Sequence, residues 1–342
     1  MDYQTPKYLC IGRINRDYVI THEHEFHLDV PGGNVLYAAG GAAVWTGEDD
    51  CIGLVARVGE DYPRSWIAEF GRRGFDCKGI KIIPQSVDVR SFRIYSDLNN
   101  YYSSDPVKHF ARLKKNIPKS LLGYRAQPEG SLNPKYDQLT ALSIRQSDLP
   151  DGYQYASAAH ICPLDFMTHS LMAPALRQMG ITTITIDPGS DYMRPEAFDL
   201  VPGIVSGLTA FIPGEEEARA LFKGKTDNIL EILETIGAWG SEIVIIKRGE
   251  RGQLLYLKDS GDIYEVPAYP VKARDISGGG DVFCGGFLVG YRQSYDPLQA
   301  AVHGNISASF SVEGSGPFYC QDALSGLRQA RFESLIASVR KI

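Results

Sequence analysis

Short apolar runs alternate with amphipathic stretches along most of the chain. CIGLVARV (51–58), AAHICPL (158–164), ITTITID (181–187), LTAFI (208–212) and EIVIIK (242–247) are rich in β-branched and aliphatic residues with few polar interruptions. That is the pattern of strands covered on both faces. Between such runs, RSWIAEFGRRG (64–74) places Trp66, Ile67 and Phe70 at helical spacing, with Asp61 as a candidate cap and Gly74 as a stop. The alternation predicts βαβ units around a mainly parallel sheet, an α/β layered protein.

Two regions depart from this rhythm. Residues 13–31 and 85–105 show partial period-2 patterning with polar residues on one face, and they predict strands of a small accessory sheet. The stretch 106–152, rich in Lys, Pro, Gly and Gln, contains one helical pattern and otherwise reads as an insertion or mobile flap. After a hairpin turning at Asp259-Ser260-Gly261, the last third reads as helices over 280–293, 297–313 and 321–340. One domain spanning residues 1–342 accounts for all of it.

Composition narrows the function classes. Hydrophobic residues make up 44% and charged residues 22%, ordinary for a globular enzyme. A net charge of −6 leaves no basic stripe to displace counterions from a nucleic acid or to hold an anionic membrane. The start, MDYQTPKYLCIGRINRDYVI, carries no signal-like apolar core, and no run of 18 apolar residues occurs, so a cytoplasmic protein is expected. Six cysteines lie far apart with no C-x-x-C pair, the pattern of buried free thiols. His22, His24 and His27 resemble an H-x-H metal strand only in part. Period 2 puts His27 on the face opposite the other two, which favours a polar strand over a zinc site.

The chemistry concentrates in DISGGGDVFCGGFLVGY (275–291), which follows an extended run and opens into an apolar helix. Three successive glycines let an anion approach backbone N–H groups, and the helix start adds partial positive charge at the same point. Asp281, in the first helical turn, is either a dipole-favoured cap or a base beside a phosphate cradle. No Gly-Lys-Ser/Thr follows, so this is not a Walker A loop, and no G-x-G-x-x-G follows an early strand as a dinucleotide-binding fold requires.

DISGGGDVFCGGF resembles the second signature of the ribokinase-like (PfkB) carbohydrate kinases, D-T-x-G-A-G-D-x-F-x-G-G-F. PGGNVLYAAGGAAVWTGEDDCIGLVARVGED (31–61) resembles their first signature, and GRINRD, FIPGEEEA, IVIIKRGERG and GNISASFSVEGSG extend the likeness across nearly the whole chain. The resemblance implies a three-layer α/β/α fold with a central, mostly parallel sheet and a small β lid. It implies ATP-dependent phosphorylation of a hydroxyl on a sugar or sugar-like molecule, with Mg2+ and a candidate monovalent cation as cofactors. A homodimer through the lid is compatible with it.

Carried over by position, Asp281 becomes the base and Gly278, Gly279 and Gly280 the anion hole. Asp17, Gly32, Gly33 and Tyr37 fall on the acceptor side, and Asp187 ends a strand where α/β sheets bind ligands. Lys247, Gly249, Gly252 and Asn305 fall on the nucleotide side. Glu217 resembles a residue that organises Mg2+ through water, and Asp275 and Ser277 resemble neighbours of a monovalent-cation site. Each has a plainer alternative: a strand-end Asp17, a solvated Lys247, a solvent-facing Asn305, a dipole-favoured Glu217. Two departures stand out. Tyr37 replaces a usual Asn, and Gly214 replaces the Asn of Asn-x-x-Glu, which leaves open a nucleoside kinase of the same fold or a catalytically weak binding protein.

Overall fold

A computed structural model describes residues 5–47, 50–98, 100–126, 136 and 138–342. Part of the expected insertion, at 127–135 and 137, lies outside the described residues.

Among the described residues, ten strands form one sheet, in the spatial order Arg340–Lys341, Asp262–Val266, Gln253–Leu257, Ile243–Lys247, Ala210–Phe211, Thr183–Ile186, Ala158–Ile161, Tyr8–Ile11, Ile52–Gly59 and Phe75–Ile83. From Ile243–Lys247 onward the pairs are parallel, and the strands at the other edge are antiparallel. The apolar runs arise because both faces are covered. Leu9, Ile11, Ile184, Ile186, Val244 and Ile246 pack with Met172, Leu176, Ile204, Leu233 and Ile236 of helices on one side. The alternate residues Tyr8, Cys10, Leu54, Ile243 and Ile245 pack on the other, where helices Asn34–Ala43, Gly279–Ser294 and Pro297–Ser311 lie. The result is the ribokinase-like three-layer α/β/α fold with its mostly parallel central sheet.

A second sheet of four strands runs Phe26–Gly32, Asn15–Ile20, Arg90–Tyr95 and Tyr101–Tyr102. Its period-2 pattern separates two surfaces. Tyr18, Ile20 and Phe92 turn away from the large sheet and are covered by Phe110 of helix Pro106–Arg112 and by Leu121. That part of the 106–152 stretch is therefore the apolar backing of the small sheet. Asp17, Val19, Arg93 and Tyr95 occupy the alternate positions, which face the cleft between the sheets.

Several local expectations change. Asp61 does not cap the helix that begins at Arg64; Pro63 takes the N-cap, and the Asp61 carboxylate accepts from the Val87 N–H at 3.1 Å. Gly74 does end that helix, with φ of +92°. His22 and His24 belong to the hairpin turn rather than a strand face, because the strand stops at Ile20 and resumes at Phe26. The last helix spans only Ser325–Ile336; Tyr319–Asp322 forms a 3-10 turn, and Arg340–Lys341 joins the sheet edge. Among the described residues no helix is long and apolar enough to cross a membrane.

Candidate active site

The parallel strands end where helix Gly279–Ser294 begins, and the candidate residues gather at that junction. Gly278, the N-cap, holds φ of +71°, a conformation L side chains rarely adopt. A side chain there would also collide with the Tyr37 ring, which lies against this glycine. The Gly279 N–H is spent on the Ile276 carbonyl at 3.1 Å, whereas the Gly280 and Asp281 amides at the helix start stay available to an anion. Of the three glycines expected in the cradle, Gly279 is thus the one whose amide is engaged within the turn.

Five charged side chains act on one another around the turn. Lys247, the last residue of its strand, folds inward to pair with the Asp187 carboxylate, and its side chain is only 14% exposed. The solvated alternative for Lys247 is thereby excluded. Burial works against the ammonium charge, and Asp187 overcomes it, holding Lys247 well above its usual pKa. Burial pushes Asp187 up to about 7 against the pull of Lys247. Asp281 is lifted to about 6 by burial, with Lys247 and Arg93 opposing and Glu217 adding to the rise. A carboxylate near 6 is ionised at neutral pH and basic enough to take a proton.

Sequence alone gives little reason to single out Arg93. It stands on the cleft face of the small sheet, where its charge opposes the rise of both Asp17 and Asp281. Its guanidinium lies 5.7 Å from the Tyr101 ring. Among the described residues no carboxylate lies within ion-pair distance of Arg93. The one signal in the chain is a cation on a strand whose neighbour Phe92 is apolar, which is a weak one.

On the acceptor side, Asp17 is 3% exposed and is raised to about 6, first by burial, with Arg93 and the Gly33 amide opposing. Its Oδ1 has no hydrogen-bond partner. A side chain on Gly32 would occupy the space of this carboxylate, and one on Gly33, at φ of +102°, would strike the Arg13 carbonyl. Asp275 is buried and its Oδ1 accepts from the Ser277 N–H at 2.9 Å, while the Ser277 hydroxyl meets the Tyr95 hydroxyl at 3.0 Å. These two candidate cation neighbours thus tie the glycine turn to the small sheet, and Arg274 adds an ion pair to Glu25 at 2.7 Å.

On the nucleotide side, Gly249 and Gly252 bracket the turn after the Lys247 strand. The solvent-facing alternative for Asn305 is excluded: it is buried, and its amide donates to Gln253 Oε1 and to the Pro267 carbonyl at 2.9 Å each, while its oxygen accepts from the Tyr269 N–H. It neither faces solvent nor offers a free amide; it orders the chain beside the strand end. The Gly214 departure has a local reason, because the Glu217 carboxylate folds back into the space a side chain at 214 would fill. Among the described residues no group of three or more His, Cys, Asp or Glu gathers as a metal site. Glu217, Asp187 and Asp281 nevertheless influence one another around Lys247, a donor set that suits a cation sharing water and phosphate oxygens.

Comparison with known proteins places the chain in a family. A cytidine kinase of Thermococcus kodakarensis is 26% identical over 299 residues, 86% of this chain and 91% of that protein. A solved E. coli structure named as a ribokinase II, in complex with ATP and Mg2+, superposes with a TM-score of 0.69 at 17% identity, covering 96% of this chain and 99% of that one. A fructokinase of Vibrio cholerae O395 with fructose, ADP and potassium bound gives 0.68 at 19% identity, covering 97% and 99%. At those identities the solved structures establish the fold. The sequence model of the pfkB family carbohydrate kinases matches residues 153–324, just over half of the chain. The chain belongs to the pfkB family of carbohydrate kinases and is a phosphotransferase with a hydroxyl acceptor.

Proposed function

We propose that this protein transfers the γ-phosphate of ATP to a hydroxyl of a sugar-like acceptor held by Asp17, with Asp281 as the base. The observation that carries this reading is a half-buried carboxylate, raised to about 6, at the start of a helix beside the Lys247 ammonium and within electrostatic reach of Arg93. The acceptor hydroxyl oxygen forms a bond to the γ-phosphorus. The bond to the bridging oxygen breaks, and its electron pair leaves with ADP. The hydroxyl proton passes to the Asp281 carboxylate.

The Gly280 and Asp281 amides and the helix start face the charge that develops on the phosphoryl oxygens. Lys247 and Arg93 add positive charge from the large and small sheets respectively. Because Arg93 rides on the small sheet, full stabilisation requires that sheet to lie over the cleft, which also excludes water that would otherwise hydrolyse ATP. Glu217 and Asp187 would hold Mg2+ through water, and the ion would supply charge that offsets the phosphates.

The test is ADP release from ATP and Mg2+ with a panel of sugars, sugar acids and nucleosides. Acceptor-dependent ADP that disappears with EDTA is the expected result. Absence of acceptor-dependent ADP across the panel would leave a nucleotide- or sugar-binding protein instead.

A further inference from the structure

We infer that Tyr95 is a positioning residue for phosphoryl transfer: its hydroxyl, held on that of Ser277, fixes the glycine turn and Asp281 against the small sheet that carries the acceptor. This rests on the kinase reading above. The connection runs through named bonds. Asp17 lies on the strand Asn15–Ile20, and the parallel neighbour Arg90–Tyr95 pairs with it from Arg16 opposite Arg90 to Ile20 opposite Ile94. Tyr95 ends that neighbour, and its hydroxyl meets Ser277 Oγ at 3.0 Å in a buried contact. Ser277 precedes Gly278, the N-cap of the helix on which Asp281 stands. One side-chain bond therefore joins the sheet that holds the acceptor to the turn that holds the base.

The turn's other bonds shape it without fixing its place relative to the acceptor. The Arg274 and Asp275 amides both donate to the Val312 carbonyl, at 2.7 and 3.3 Å, and the Ser277 amide donates to Asp275 Oδ1 at 2.9 Å. These run within the turn or to the end of helix Pro297–Ser311, for which Val312 is the C-cap. A second contact reaches the small sheet, the Arg274–Glu25 ion pair at 2.7 Å. Glu25 is itself well placed, because its backbone and Thr21 bond each other in both directions, at 3.0 and 3.1 Å. Solvent decides between the two contacts. The Arg274 and Glu25 side chains are 49% and 39% exposed, so water and salt weaken their attraction. The Tyr95–Ser277 bond is buried, and the seam beside it, lined by Thr21, Leu98 and Ile276, is too narrow for a water molecule. Tyr95 is the stronger tie.

Transfer requires the acceptor oxygen, the γ-phosphorus and the base to be aligned, and a misplacement of about 1 Å can cost about 100-fold in rate. Nucleotide binding is less demanding, since the helix-start amides and Lys247 lie on the large-sheet side of the cleft. Loss of the Tyr95 hydroxyl should therefore slow transfer and spare ATP affinity. A hydroxyl that served packing alone would change stability and leave the rate of the folded protein untouched.

The experiment measures the single-turnover transfer rate and ATP affinity of the full chain, using the acceptor that the wild type phosphorylates fastest. Tyr95→Phe, Ser277→Ala and the double variant are compared with wild type. Tyr95→Phe is expected to slow transfer about tenfold with ATP affinity unchanged. Ser277→Ala removes the same bond from the other side, so the double variant is expected to fall no further than the worse single one. Wild-type transfer in Tyr95→Phe, losses that multiply in the double variant, or an equal loss of ATP affinity would each overturn the inference and leave the kinase reading intact. No transfer by the wild type to any acceptor overturns both together.

Discussion

Replacing Asp281 with Asn separates the chemistry of this site from its architecture. Asparagine keeps the side-chain shape at the helix start, removes the proton acceptor, and leaves both backbone donors, the amides at positions 280 and 281, in place. Turnover should fall by about 100-fold or more, the range for loss of a positioned general base, while ATP affinity changes little. A second effect has the opposite sign. Burial moves the Asp281 carboxyl from 3.8 to about 6 in the folded protein. Two pH units at about 1.4 kcal/mol each amount to roughly 3 kcal/mol of charge-burial penalty at neutral pH. Solvent reaches part of this side chain and screens it, so the expected gain on substitution is nearer about 1 kcal/mol.

Because the folded pKa lies above the unfolded one, the penalty is absent below about pH 4, grows as pH rises toward 6, and is complete above it. The variant should therefore be more stable than wild type at pH 8 and equal to it near pH 4. Single-turnover kinetics, nucleotide titration and denaturant melts at the two pH values check the three parts. Wild-type turnover in the variant would refute the base assignment. Equal stability at pH 8 would refute the electrostatic account of the burial.

Arg93→Met should lower turnover about 100-fold and move the acid limb of the pH–rate profile upward from about 6, because Arg93 opposes the rise of both Asp17 and Asp281. Arg93→Lys should recover part of each effect, and an unmoved acid limb in Arg93→Met would remove this residue from the site. Lys247→Met leaves Asp187 buried without its cation and should cost about 3–5 kcal/mol in denaturant melts, with Asp187→Asn in the same chain restoring most of the loss. Asn305→Ala breaks three hydrogen bonds and should cost about 1–3 kcal/mol of stability with little change in the ATP affinity of the folded fraction. A selective loss of ATP affinity at full stability would instead assign Asn305 a direct nucleotide role.

The layered α/β fold was legible in the chain because parallel strands covered on both faces must be apolar throughout, and 158–161, 183–186 and 243–247 are. The glycine turn and Asp281 were legible too, since a positive φ and a backbone anion cradle leave a local mark in the residue types themselves. The cap at Pro63 and the bounds of the last helix were not, because Pro63, Ser325 and the Arg340–Lys341 edge strand depend on what the neighbouring chain supplies. The site's charges lay furthest from view. Lys247 meets Asp187 across 60 positions, Arg93 reaches the cleft only because Phe92 is claimed by the far face, and Asn305 is consumed by Gln253 and Pro267. Sequence marks which groups a backbone conformation demands. Which charges pair, and which are left free for a ligand, is a through-space question that only the packed sheets answer.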